Sequence, residues 1–187
     1  MKNTTPPQTK IAVTLDNGTT AIMSFVTSSR SPTLPQGARW VEEHTGLWER
    51  PATDANIFAE ITKTFRATDN HGLPLPQPVR YKVVDEAEIP TDRTYRNALR
   101  HSETGFAFDL DTAKALHLTM IREARVESLN ALDTAWMKAT GQKDQVAADA
   151  VEAKRQTLRD LPTTIGIEKA TTIDELKALW PVELARP

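Results

Sequence analysis

Proline divides this chain. Nine of its 12 prolines fall at or before Pro90, and none follows until Pro162. Because proline fixes φ and removes a backbone donor, it is kept out of helix interiors and central strands. The first half must therefore be short extended pieces and turns, while the second is free to form long helices. This predicts an α+β fold, with a small antiparallel β region and one covering helix followed by a long antiparallel helical hairpin and a short terminal helix. The expected boundaries are an extended tail over 1–9, a β-rich domain over 10–110 and a helical hairpin domain over 111–187. At 187 residues the chain can bury a core without metal or disulfide.

Lys10 to Thr27 alternates apolar and polar residues about Asp16-Asn17-Gly18. Asn-Gly supplies the positive φ angles of a tight hairpin turn, so two paired strands are predicted, with Ile11, Val13 and Leu15 on one face and Met23 and Phe25 on one face of the return strand. Arg39 to Val41 is a further short strand. Asp54 precedes Ile57, Phe58, Ile61 and Phe65, read together as one helical stripe that covers the sheet. "GLPLPQP" must run extended, as a rigid connector, and "VRYKVV", 79 to 84, alternates as a strand. Met1 to Lys10 lacks the apolar run of a signal peptide or membrane anchor, and no later stretch is long enough for a membrane span.

From Asp111, read as an N-cap, no proline intervenes before Gly141, read as a left-handed stop. One helix of roughly 40 Å should fill that interval. Leu118, Ile121, Leu129, Leu132, Trp136 and Ala139 form its seam, interrupted at Arg125. A second helix from about Asp144 should end at Asp160, before Pro162. The turn "TGQKD" makes the two antiparallel. Thr172 and Glu175 are spaced as a capping box that opens the last helix.

The chemistry is narrowed mainly by what the chain lacks. With no cysteine there is no disulfide, thiolate zinc site or thiol nucleophile. The histidines at 44, 71, 101 and 117 lack metal-ligand spacing, the glycines form no phosphate loop and no Ser/His/Asp frame is visible. No cofactor, metal site or catalytic residue is expected. The stretch "TDRTYRNALR", 91 to 100, sets three arginines around one tyrosine. On a helix Arg93, Arg96 and Arg100 would share a stripe away from Tyr95, Ala98 and Leu99. Three readings stay open: an ion-pair cluster with Asp85, Glu86, Glu88 and Asp92, internal or between subunits; a partner-docking surface; or a nucleic-acid contact. The last is disfavoured, because flanking acids and a net charge of -2 repel phosphate.

"IPTDRTYRNALR", "DLDTAKALHLTMIREAR", "LNALDTAWMKA", "KRQTLRDLP" and "TTIDELKALWP", taken in order, resemble proteins encoded by tailed phages and prophages. The closing part looks like the family of phage tail assembly chaperone proteins. The resemblance covers roughly residues 79 to 187, with "DRTYRNAL" and "RQTLRDLP" its most specific pieces. It implies a noncatalytic tail-associated protein that is a structural or assembly component of the tail tip, baseplate or fibre attachment. Its location would be the virion tail, or the host cytoplasm during assembly. Other phage tail proteins would be its partners, in a homo-oligomer or hetero-assembly. The alternatives are a cytoplasmic assembly chaperone absent from the virion, a small phosphate-handling enzyme using Arg93, Arg96 and Asp111, or a nucleic-acid-binding regulator. The residues expected at partner contacts are Tyr95, Arg96 and Arg100 in the decapeptide, with Ile121, Leu132 and Trp136 on the helical seam.

Overall fold

A computed structural model describes residues 8–186, and its architecture is α+β. In chain order the strands are β1 (Gln8–Leu15), β2 (Thr20–Val26), β3 (Ser28–Arg30), β4 (Arg39–Glu42), β5 (Leu47–Glu49), β6 (Pro78–Val84), β7 (Leu99–Ser102) and β8 (Gly105–Phe108). The helices are α1 (Asp54–Thr64), α2 (Leu110–Gly141), α3 (Gln145–Thr164) and α4 (Ile173–Ala178). The chain forms two compact units, one ending at Ala107 and the other beginning at Phe108. The extended tail expected over 1–9 lies outside the described residues, apart from Gln8 and Thr9, which open β1.

In the first unit β1 and β2 pair antiparallel, with Ile11 opposite Met23 and Thr14 opposite Thr20. Their connection is a three-residue loop rather than a two-residue turn. Only Gly18 takes a positive φ, at 80°, while Leu15 N donates to Thr19 O at 2.9 Å and Gly18 N to Leu15 O at 2.9 Å. This is a bulged hairpin loop, in which the left-handed residue alone needs to be glycine. Asn17 instead accepts from Thr19 N and Thr19 Oγ1 through its side chain, at 3.0 and 2.7 Å.

β6 joins the free side of β1, giving the order β2-β1-β6. One face of this sheet buries Ile11, Val13 and Phe25 against Ile57 and Ile61 of α1, with Phe65 and Tyr81 at the margin. Thr53 caps that helix by accepting from Asn56 N, and Tyr81 donates to Asp54 Oδ1 at 3.0 Å. Phe58 does not belong to the buried stripe and is 63% exposed. One residue beyond Ile57 is a rotation of about 100°, so the inward face repeats at 57, 61 and 65 only. β3, β5 and β4 form a second antiparallel sheet with Trp40 opposite Trp48. Beside it the buried Arg50 stacks 4.1 Å from the Phe25 ring centroid and pairs with Glu60 at 3.1 Å.

In the second unit the N-cap of α2 is Asp109, accepting from Thr112 N at 2.7 Å, and not Asp111. Asp111 lies in the first turn, where its charge favours the helix N-terminus. Gly141 ends α2 in a helical conformation, and the left-handed residue of the connection is Lys143, at φ 58°. Thr172 caps α4, and Glu175 reaches back to Thr171 N at 2.7 Å. The core joins Ala113, His117 and Ile121 of α2 with Leu158, Leu161, Leu176 and Trp180. Burial pushes the His117 imidazole below its ordinary pKa, and its ring meets Trp180 edge-on at 5.5 Å.

α3 does not stop before Pro162 but runs through it to Thr164. Proline at 162 has no N–H to give the carbonyl of Leu158, four residues earlier. Arg125 supplies the missing donor from α2, with Nη1 3.3 Å from Leu158 O and 2.9 Å from Arg159 O. The residue that breaks the apolar seam of α2 is therefore the one that lets α3 continue.

Replacing Arg125 with methionine should cost about 2 kcal/mol, the scale of hydrogen bonds from a charged donor. Adding Pro162→Ala, which returns an N–H to Leu158 O, should recover part of that loss. Urea unfolding of the two single variants and the double variant measures the coupling; strictly additive losses would refute it.

Candidate functional site

The decapeptide is not a helix. Asp92 accepts from Thr94 N at 2.8 Å in a side-chain turn, Ala98 N donates to Tyr95 O at 2.8 Å, and a single 3₁₀ turn over Arg96–Ala98 runs directly into β7. Ten residues make a marginal helix in isolation, and here pairing of β7 with β8 competes for the same backbone. β7 also lies against β1 and β2. The segment thus sorts its side chains by position: Tyr95, Ala98, Leu99 and His101 are buried, while Arg93 and Arg96 are exposed.

Those two arginines border a groove of about 530 Å³. The β1–β2 loop contributes Asn17, β2 contributes Thr20 and Ile22, and Asp92 and Asn97 complete its polar lining. Their backbones are bonded, Arg96 N donating to Arg93 O at 3.2 Å, but neither guanidinium makes a hydrogen bond or ion pair with a described residue. Of the four acids proposed for an internal cluster, two are engaged elsewhere, Glu86 with Lys10 at 3.5 Å and Asp85 with Ala87 N at 2.9 Å. Arg100 is half-buried and donates to Asn97 O and Leu99 O at 3.3 and 3.2 Å.

The backbone of β2 adds a second property. Because Leu15 bonds Thr19, alternation makes residues 21, 23 and 25 the ones bonded to β1, and the backbone groups of Thr20, Ile22 and Ser24 point outward. β2 is the end strand of its sheet. Thr20 is 7% exposed, and its hydroxyl has no hydrogen-bond partner among the described residues. Nothing in the sequence period distinguishes an end strand from a central one, so this edge was not foreseen.

In the second unit, Ile121 is fully buried. Like Tyr95, it was expected at a contact surface and is instead an interior residue, because the spacing that makes an apolar seam also makes a core. Leu132 is half-buried and lines an apolar trough of about 470 Å³ with Ala131 and Leu158. Trp136 is 37% exposed and lies under the Arg155 guanidinium, 5.6 Å from the ring centroid. Arg155 also pairs with Asp133 at 2.7 Å and with Glu152. Arg159 pairs with Glu152 at 2.8 Å, and the two guanidinium groups, that of Arg159 first, hold the Glu152 carboxyl below its ordinary range. Val126 and Met137 of α2 are 53% and 61% exposed.

A smaller cleft joins Arg80, Lys82 and His101. Arg80 Nη2 donates to His101 O at 2.9 Å, and the His101 ring packs on Phe106 at 4.7 Å. Burial first, then Lys82 and Arg80, push the His101 pKa down against a smaller upward pull from Glu88. Among the described residues no three His, Cys, Asp or Glu side chains cluster as a metal site, and no helix is long and apolar enough to cross a membrane. Compared with known proteins, the chain matches no family model, no curated protein and no solved structure.

The interior place of Tyr95 has a measurable consequence. Burial, reinforced by the Asp92 charge, pushes its hydroxyl up to about 12. The unfolded chain loses this proton near 10 and the folded chain does not, so stability should fall as pH rises above about 10. Absorbance titration at 295 nm should show a tyrosine step near 12 that is lost in Tyr95→Phe. A step near 10 in the native protein, lost in that variant, would place Tyr95 at the surface.

Proposed function

We propose that the chain is a noncatalytic phage tail-associated protein, acting by protein–protein contact as a structural or assembly component of the tail tip, baseplate or fibre attachment. The observation that carries this reading is the form of α2. It is 32 residues long, about 48 Å at the α-helical rise. Its fully buried residues are Ala113, His117, Ile121 and Ala139. Between Arg122 and Lys138 the helix buries no side chain fully, although it carries Val126, Leu129, Leu132, Trp136 and Met137 there. A stretch of five large apolar residues left partly open over about three turns suits helix-to-groove docking. The segments that resemble tail proteins, "LNALDTAWMKA" and "KRQTLRDLP", lie on this hairpin.

The two forms of the proposal differ in where the protein ends up. Quantitative mass spectrometry of purified phage particles that encode the chain should find it at a fixed ratio to the tail tube protein if it is a virion component. Its presence in lysate bound to tail proteins, with absence from finished particles, assigns it to assembly. A chain that binds no tail protein in either fraction overturns the proposal. Val126→Asp with Met137→Asp should abolish the association while leaving the helical circular dichroism unchanged, since both side chains are exposed.

A further inference from the structure

We infer that the groove beside β2 receives an extended acidic peptide segment of a partner protein, added as a strand along β2 with its carboxylates held by Arg93 and Arg96. The inference rests on reading the chain as a protein that acts through protein contacts, and it names the chemistry of one such contact.

Three observations converge on the same place. The first is a strand edge with outward backbone donors and acceptors at Thr20, Ile22 and Ser24, the groups that pair with an added strand. The second is the charge: Arg93 and Arg96 line the groove and are exposed, and their guanidinium groups have no partner among the described residues. A guanidinium presents a planar fork of donors that matches a carboxylate. The third is Thr20, which lines the groove, is 93% buried (7% exposed) and carries a hydroxyl that meets no acceptor or donor among the described residues. Asn17 and Asn97 add polar groups, and Asp92, the acid in the lining, is engaged by Thr94 N.

Charge also selects among occupants. Strand pairing between two copies of β2 about a two-fold axis would bring the Arg93 and Arg96 groups of both copies together, and like charges oppose it. Nucleic acid offers phosphates to the arginines, but it has no alternating N–H and C=O groups for the edge. An acidic extended peptide satisfies both the edge and the arginines, with side chains that alternate between the arginines and solvent.

The test uses the full chain and a fluorescein-labelled octapeptide of alternating valine and glutamate, followed by fluorescence anisotropy. The expected result is saturable binding that weakens at least tenfold when lysine replaces glutamate. It should weaken equally when proline replaces two valines, which removes the strand's donors, and in the R93A/R96A variant. Amide resonances of Thr20, Ile22 and Ser24 should shift on addition of the glutamate peptide. Absence of saturable binding, undiminished binding by R93A/R96A, equal binding of the proline peptide, or shifts confined to other residues each overturns the inference. Sedimentation showing dimers that R93A/R96A strengthens would assign the edge to a second copy and overturn it too. A chain found in tails whose groove binds no acidic peptide defeats this inference alone. A groove that binds the peptide, in a chain that touches no tail protein, defeats the tail reading alone.

Discussion

A guanidinium stays charged at any pH a protein meets and carries five donors in a rigid fork, so it cannot be taken out of water without acceptors. That constraint organises both units. In the first, Arg50 is buried between the Phe25 ring, the Glu60 carboxylate and the carbonyl of Val26 at 3.4 Å, which ties β2 and α1 to the strand that precedes Arg50. In the second, Arg125 donates to the carbonyls beside Pro162, and Arg155 joins Asp133 of α2 to Glu152 of α3 over the Trp136 ring. Against this pattern Arg93 and Arg96 stand apart, exposed on a groove with no acceptor of their own.

The same constraint shapes what the hairpin can offer. Arg125 and Arg155 hold α3 to α2 by polar contacts at two levels, so the two helices stay paired although the middle of α2 buries no side chain fully. Packing that relied on apolar burial alone would have drawn Leu132 and Trp136 inward, whereas the observed arrangement leaves Leu132 half-buried and Trp136 partly open. A surface of this kind is stable without a partner and still has apolar area to gain from one. The edge of β2 has the matching property in the β-rich unit, since it pairs with β1 on one side and with no described strand on the other.

Much of the fold was legible in the sequence because its strongest signals are local. Proline placement, the alternation about Asn17 and Gly18, and the capping pair Thr172 and Glu175 depend on neighbours within a few positions. Errors arose where a distant residue decided the outcome. Pro162 looked like a helix end because its missing N–H is local, while the donor that compensates comes from Arg125. Asp109 took the cap from Asp111, two residues away, because β8 ends at Phe108 and sets where the helix begins. The decapeptide looked amphipathic on a helical wheel, yet pairing with β8 extended its last two residues, Leu99 and Arg100. The site was less legible than the fold: Arg96, expected at a partner contact, has an exposed side chain, whereas Tyr95 and Ile121 were chosen for apolar character that belongs to a core. The open edge of β2, the buried Thr20 and the inward Arg50 depend on contacts across the sheet, and no single-chain period marks them.

The central claim is that Arg93 and Arg96 are held for a partner and do no structural work in the isolated chain. Urea unfolding of the R93A/R96A variant, with no ligand present, tests it most directly. The account predicts a midpoint and slope indistinguishable from the parent chain, within about 0.5 kcal/mol for substitutions at exposed positions without partners. A loss of stability above about 1 kcal/mol would show that the two arginines are bound into the fold. The groove would then be a product of packing, with nothing kept in reserve for recognition.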